Sequence, residues 1–134
     1  MKKRVKQIKR GNNFKKVILI VLIILGIILI FAFIDYLFHR LSKEYDVPSY
    51  YFRNKIIFGT LIGCISYYFI RNLVFWKRAL VFSAIIVVLL QIRYYLEGYP
   101  KDFVFLFLGI HFGILLLISV IVFWTMKKLK SSLH

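Results

Sequence analysis

Residues Val17 to Ile34 form an unbroken run of eighteen apolar residues, counting Gly26. An α-helix rises about 1.5 Å per residue, and about 20 mostly apolar residues cross the roughly 30 Å hydrocarbon core of a bilayer. With Tyr36, Leu37 and Phe38 beyond the single interruption at Asp35, the run reads as a spanning helix over 17–38. Inside lipid every backbone N–H and C=O needs an internal partner, so a spanning chain must be helical or a closed barrel. Barrel strands alternate apolar and polar residues, and nothing in this sequence alternates.

Three more segments follow the first: 52–74, 76–96 and 103–126. Apolar residues make up 61% of the 134, well above the roughly 45–50% of soluble domains. Mean hydropathy is +0.80. A disordered chain is excluded, because disorder goes with few hydrophobic residues. A soluble globule of this size has too little interior to hide so much Ile, Leu and Phe. The two prolines, Pro48 and Pro100, fall between spans, where they break no helix. Glu97–Asp102 is a short turn between the third and fourth segments. Short links make neighbouring helices antiparallel. The expected architecture is an all-α integral membrane protein, with four transmembrane helices in an up-down antiparallel bundle. A basic arm (1–16), an outer loop (39–51), an outer turn (97–102) and a basic tail (127–134) complete one membrane domain. The apolar run is too long for a secretory signal and no small-residue cleavage site follows it, so it is expected to be retained.

The formal net charge of +15 is distributed unevenly. Lys2, Lys3, Arg4, Lys6, Lys9, Arg10, Lys15 and Lys16 lie in the arm. Arg71, Lys77 and Arg78 surround the link between the second and third segments, and Lys127, Lys128 and Lys130 lie in the tail. A four-span chain puts these fourteen on one side, with no acidic residue among them. The opposite side holds six basic residues and all five acidic ones. Basic flanks stay cytoplasmic, so the cell membrane is the expected location, with both termini inside. Seven of nine tyrosines fall toward the outer ends, and Trp76 and Trp124 mark the inner boundary. The basic residues are also suited to anionic lipid headgroups, worth about 1 kcal/mol each near the surface. No groove-reading module or aromatic stacking platform accompanies them, so no nucleic-acid partner is expected.

Few residues could carry chemistry. Asp35 and His39 are one helical turn apart on one face. His111 lies about 12 Å inside the fourth span from the same side. Polar groups within a membrane are costly and face the interior by preference. Gln91 is the better interior candidate in the third span, since Arg93 is near enough to the end to snorkel. Asp35, His39, Thr60, Gln91 and His111 thus form a candidate polar pocket in the outer half. The simpler alternative places Asp35 near the headgroups, paired with Arg93 or Arg40, and His39 at the interface. Three potential ligands with no spacing rule joining them do not define a metal site, so no metal or other cofactor is expected. Gly59, Gly63 and Ser66 in the second span, and Gly109 and Gly113 in the fourth, form small-residue stripes suited to close helix packing, first within the bundle and otherwise against another subunit. Cys64 is alone, which excludes an internal disulfide.

Four short spans and an acidic residue in the first helix resemble the small multidrug-resistance transporters. Those carry the acid mid-membrane and pair protomers with weak charge bias, whereas Asp35 is toward one end and the bias here is strong. The sequence favours a non-catalytic accessory, assembly or helix-packing subunit, with a membrane-protein partner or a second copy of the chain. A small oligomeric transporter or channel using the outer polar pocket is the alternative. An intramembrane enzyme or metal site at the outer rim ranks third, and catalysis is not the favoured reading.

Overall fold

A computed structural model describes residues 2–132; Met1, Leu133 and His134 of the expected arm and tail lie outside them. The chain folds into four α-helices: α1 (Lys2–His39), α2 (Ser49–Ile70), α3 (Phe75–Leu96) and α4 (Lys101–Ser132). A single 3-10 turn, Lys43–Tyr45, interrupts the connection from α1 to α2, and no strand occurs among the described residues. α1, α3 and α4 are each long and apolar enough to cross a membrane. α2 has 22 residues but does not reach that apolarity, since Arg53 and Lys55 lie in its first two turns. From Lys2 onward the basic arm is a helical continuation of the first apolar run, and α4 likewise extends into the basic tail as far as Ser132.

Local chemistry sets the helix ends. Pro48 caps α2 with extended backbone (φ −64°, ψ 156°), and its carbonyl accepts from the Tyr51 N–H at 3.0 Å. Proline lacks an N–H, so it suits a helix start, where that donor has no intrahelical partner. α3 ends in the left-handed residue Gly98 (φ +96°), the one position where the backbone requires glycine. Gly98 N–H donates to Tyr95 O at 3.2 Å and Tyr99 N–H to Tyr94 O at 3.2 Å, closing the Schellman pattern that satisfies the last carbonyls. At the opposite end, the Arg78 guanidinium donates to the carbonyls of Arg71 (3.0 Å) and Leu73 (2.9 Å), fixing the short α2–α3 link.

Each helix packs on its chain neighbour, and α1 also packs on α4, which closes the ring. The core of the half nearer the termini is apolar: Ile24, Ile27 and Ile28 of α1 meet Phe82 and Ile86 of α3 and Leu115 and Phe123 of α4. Its one buried side chain–side chain hydrogen bond among the described residues joins Ser83 to Ser119, at 3.4 Å. α2 turns its Gly59–Gly63–Ser66 stripe inward. A Cβ on Gly63 would lie 2.9 Å from Ile24 Cγ2 and 3.3 Å from the Phe82 ring, and one on Gly59 would lie 3.3 Å from Ile28 Cγ2. Glycine there lets α1 and α2 approach closely. The second stripe does not behave this way. Gly109 and Gly113 are exposed and have open space beside them, because the opposite face of α4 is the one that turns His111 inward. Packing of that stripe within the bundle is therefore corrected. Phe33, Leu61, Phe69, Phe105 and Leu117 extend outward from the ring, giving it an apolar exterior.

Candidate functional site

The end of the bundle that carries the 3-10 turn and the Gly98 turn encloses a polar cluster to which all four helices contribute. Asp35 sits one turn before the end of α1, Lys55 in the second turn of α2, Gln91 near the end of α3, and His111 ten residues into α4. Antiparallel neighbours bring these four positions to one level. Asp35, Lys55 and His111 are 0% exposed, Gln91 3% and His39 2%.

The Asp35 carboxylate is the hub. Its Oδ2 accepts from the Lys55 ammonium, tying α1 to α2. Its Oδ1 lies 2.7 Å from His111 Nε2, tying α1 to α4. His111 Nδ1 in turn lies 2.5 Å from Gln91 Nε2, which brings in α3. With the Gln91 amide nitrogen turned to Nδ1, His111 carries its proton on Nε2 and donates it to Asp35, while Nδ1 accepts from the Gln91 amide. Lys55 Nζ lies 3.3 Å from both His111 Nε2 and the Tyr51 hydroxyl. His39 is oriented from outside, its Nδ1 2.6 Å from the Tyr45 carbonyl in the 3-10 turn. A carbonyl can only accept, so Nδ1 holds the proton, and Nε2 faces Asp35 Oδ2 at 3.3 Å. Nε2 makes no hydrogen bond among the described residues, and neither does Gln91 Oε1.

Aromatic rings seal the cluster. His39 stacks on Phe107 with centroids 4.3 Å apart and planes within 5°. Tyr51 stacks on Tyr94 at 4.6 Å, and the Phe31 edge meets His111 at 5.3 Å. The Lys55 ammonium lies over the Tyr51 ring at 4.4 Å and the Phe31 ring at 5.1 Å. Ring faces are electron-rich and hold a desolvated cation favourably. On the outer surface of the bundle a groove of about 390 Å³ between α3 and α4 reaches Gln91, with Val88, Tyr95, Lys101, Val104 and Leu108 in its walls.

Of the residues expected to form a polar pocket, Asp35, His39, Gln91 and His111 converge. One carboxylate oxygen and one ring nitrogen from each histidine all lie within 4.8 Å of one another. Thr60 does not join them; it is half-buried on α2 and its hydroxyl has no hydrogen-bond partner among the described residues. The simpler expectation for Asp35 and His39 is corrected. Asp35 pairs with neither Arg93 nor Arg40, and His39 is buried rather than interfacial. Arg93 instead donates to Glu97 at 2.9 Å and lies over the Phe58 ring at 3.7 Å, while Arg40 reaches Tyr36. Lys55 is one of the six basic residues assigned to the outer side, where its place near the start of α2 groups it with flanking charges. The signal was present: Tyr51, Lys55, Gly59 and Gly63 recur every four residues, so the face carrying the glycine stripe also carries the lysine. Chemically the cluster can hold a cation against a carboxylate and two imidazoles, and it can lock the relative register of four helices. Comparison with protein-family models, curated proteins and solved structures finds no match to this chain.

Proposed function

We propose that the chain is a four-span integral membrane protein of the cell membrane, with both termini cytoplasmic, that acts as a non-catalytic accessory or assembly subunit. The observation that carries this reading is the Asp35-centred cluster. One carboxylate links α1 directly to α2 and α4, and through His111 to α3, in a setting closed to solvent. Buried polar networks of this kind serve best to fix register and a single arrangement of helices. Below it the core is a dry layer of Ile, Leu and Phe, which suits a rigid bundle better than a conduit. In this reading α2 crosses the membrane with its lysine neutralised by Asp35, and the basic arm, link and tail lie against anionic headgroups on the cytoplasmic side. The apolar exterior, including the exposed Gly109–Gly113 face, is offered to a membrane-protein partner or a second copy of the chain.

Crosslinking in intact membranes followed by purification in mild detergent tests the subunit role. A partner or second copy recovered in constant stoichiometry supports it, and a protein that stays monomeric and alone counts against it. Fusions at either terminus test the topology: green fluorescent protein is expected to fluoresce and alkaline phosphatase to be inactive.

One observation favours a second reading, a small oligomeric transporter. Gln91 lines part of the α3–α4 groove and lies one hydrogen bond from His111 and two from Asp35, so a residue of the charged cluster borders an opening on the surface of the bundle. Proton or cation flux in proteoliposomes, abolished by Asp35→Asn, is the result that would move the assignment to transport.

A further inference from the structure

Among the side chains linked to Asp35, two atoms are unpartnered, at opposite ends of one chain of groups, and the Tyr94 hydroxyl in the surrounding ring wall is a third. His39 Nε2, on a side chain 2% exposed, aims a lone pair at the Asp35 carboxylate 3.3 Å away. Its Nδ1–H is committed to the Tyr45 carbonyl, so the ring cannot relieve the conflict by exchanging tautomers without losing that bond. Gln91 Oε1 is buried without a donor. Rotating the amide by 180° would present Oε1 to His111 Nδ1, but His111 would then carry its proton on Nδ1 and turn a bare Nε2 toward Asp35 Oδ1. With both imidazoles neutral, each arrangement leaves a lone pair facing a carboxylate or a buried polar atom of the Gln91 amide unpaired. A cation placed among Asp35, His39 Nε2 and His111 Nε2 gives both ring nitrogens a partner and removes the lone pair facing the carboxylate.

We propose that Asp35, His39 and His111 bind a divalent transition metal of the zinc class, with the Lys55 ammonium as a built-in competitor for the same carboxylate. The donor set is one carboxylate oxygen and two imidazole nitrogens, the chemistry that zinc and its neighbours prefer. Bonds of about 2.0–2.1 Å in a tetrahedral arrangement place ligand atoms about 3.3 Å apart. The three ligand atoms lie within 4.8 Å of one another, and each imidazole is already near one oxygen of the Asp35 carboxylate, His39 Nε2 at 3.3 Å from Oδ2 and His111 Nε2 at 2.7 Å from Oδ1. Metal-bound histidines donate their other ring N–H to a carbonyl or carboxylate, which sets the tautomer and the ring orientation. His39 already does so through Tyr45. His111 gains the same support when its proton moves from Nε2 to Nδ1 and the rotated Gln91 carbonyl accepts it. That rearrangement releases no proton, gives both ring nitrogens and the Gln91 carbonyl a partner, and turns the Gln91 NH₂ to the place its oxygen held. Lys55 keeps its charge and shifts from Asp35 onto the Tyr51 hydroxyl and the Tyr51 and Phe31 ring faces that surround it. The fourth coordination position is left to water. This inference is independent of the subunit role, because a resident metal would serve an accessory bundle and a transporter equally well.

The experiment uses the full chain in nanodiscs, purified without a histidine tag and stripped with chelator, and titrated with Co²⁺ and Zn²⁺. Co²⁺ bound by two imidazoles and a carboxylate gives visible d–d absorption, and one equivalent is expected on the wild type, displaced by Zn²⁺. His39→Ala keeps the Asp35 links to Lys55 and His111, so it should fold, and at least a tenfold loss of affinity is expected. Lys55→Met removes the competing charge, and at least a tenfold gain is expected. A wild type with no saturable 1:1 absorption overturns the proposal, as does His39→Ala binding like wild type. Metal on Lys55→Met but not on the wild type means a site made by the substitution, and overturns it too. Partner recovery does not enter any of these outcomes, so failure here leaves the subunit reading standing.

Discussion

The Lys55 ammonium donates to Asp35 from a helix neighbouring its own, twenty residues along the chain, with both side chains fully enclosed. Removing one member of such a pair leaves a bare charge in a medium that cannot solvate it, which costs about 3–5 kcal/mol. Asp35→Leu and Lys55→Met are each expected to destabilise the bundle by about that much. The double variant replaces both charges with apolar groups and is expected to recover a large part of the loss. Thermal unfolding in detergent, arranged as a double-mutant cycle, measures the coupling. Strict additivity would mean that the pair contributes nothing as a pair.

The same pair decides how α2 reaches its place. A lysine within a spanning segment costs up to about 2.5–3.5 kcal/mol at the helix centre, and less toward an end. With Arg53 and Lys55 in its first two turns, α2 is expected to insert poorly by itself and to depend on α1 to deliver Asp35. In a glycosylation-mapping assay the isolated 49–70 segment is expected to insert inefficiently, and Lys55→Leu to raise the inserted fraction clearly. Coexpression with α1 is expected to help the wild-type segment and to lose that benefit with Asp35→Asn.

The glycines of α2 and α4 separate by what a side chain would touch. At Gly63 a Cβ would press on Ile24 and Phe82, neither of which can retreat from a packed core. Gly63→Leu is expected to cost about 1–3 kcal/mol through overpacking, and Gly63→Ala somewhat less. Gly113→Ala meets nothing within 4 Å and is expected to change bundle stability by less than about 0.5 kcal/mol. If the α4 face binds a partner, Gly113→Leu lowers crosslinking yield while monomer unfolding stays put.

How much of this was visible in the sequence follows from what periodicity encodes. Apolar runs and proline positions located the four helices, because a long apolar run without a helix breaker has few other ways to satisfy its backbone. Asp35 and His39 shared a face by spacing alone, and His111 lay opposite its flanking glycines for the same reason. Which face of each helix turns inward is a property of the assembled ring, so the glycines of α4 read as packing residues although they face outward. Lys55 was hidden by a different effect. A charge two turns inside a helix counts as a flank in any tally by loop, and only its contact with Asp35, across a helix boundary, reveals it as interior.

Gln91 and Thr60 are both polar residues within apolar helices, and the structure separates them. Gln91 Nε2 satisfies His111 Nδ1 at 2.5 Å, so Gln91→Leu leaves a buried acceptor without a donor. That substitution is expected to cost about 1–3 kcal/mol, with Gln91→Met, equally unable to donate, costing as much despite its closer shape. Thr60 Oγ1 is buried with no hydrogen-bond partner among the described residues, so Thr60→Val discards a hydroxyl that gains nothing where it is. It is expected to be neutral or to stabilise the bundle slightly, since valine keeps the branched shape and removes the polar atom. Unfolding midpoints of the two variants, measured side by side, distinguish a residue of the cluster from a bystander. Equal losses would place Thr60 in a network that the contacts around it do not contain.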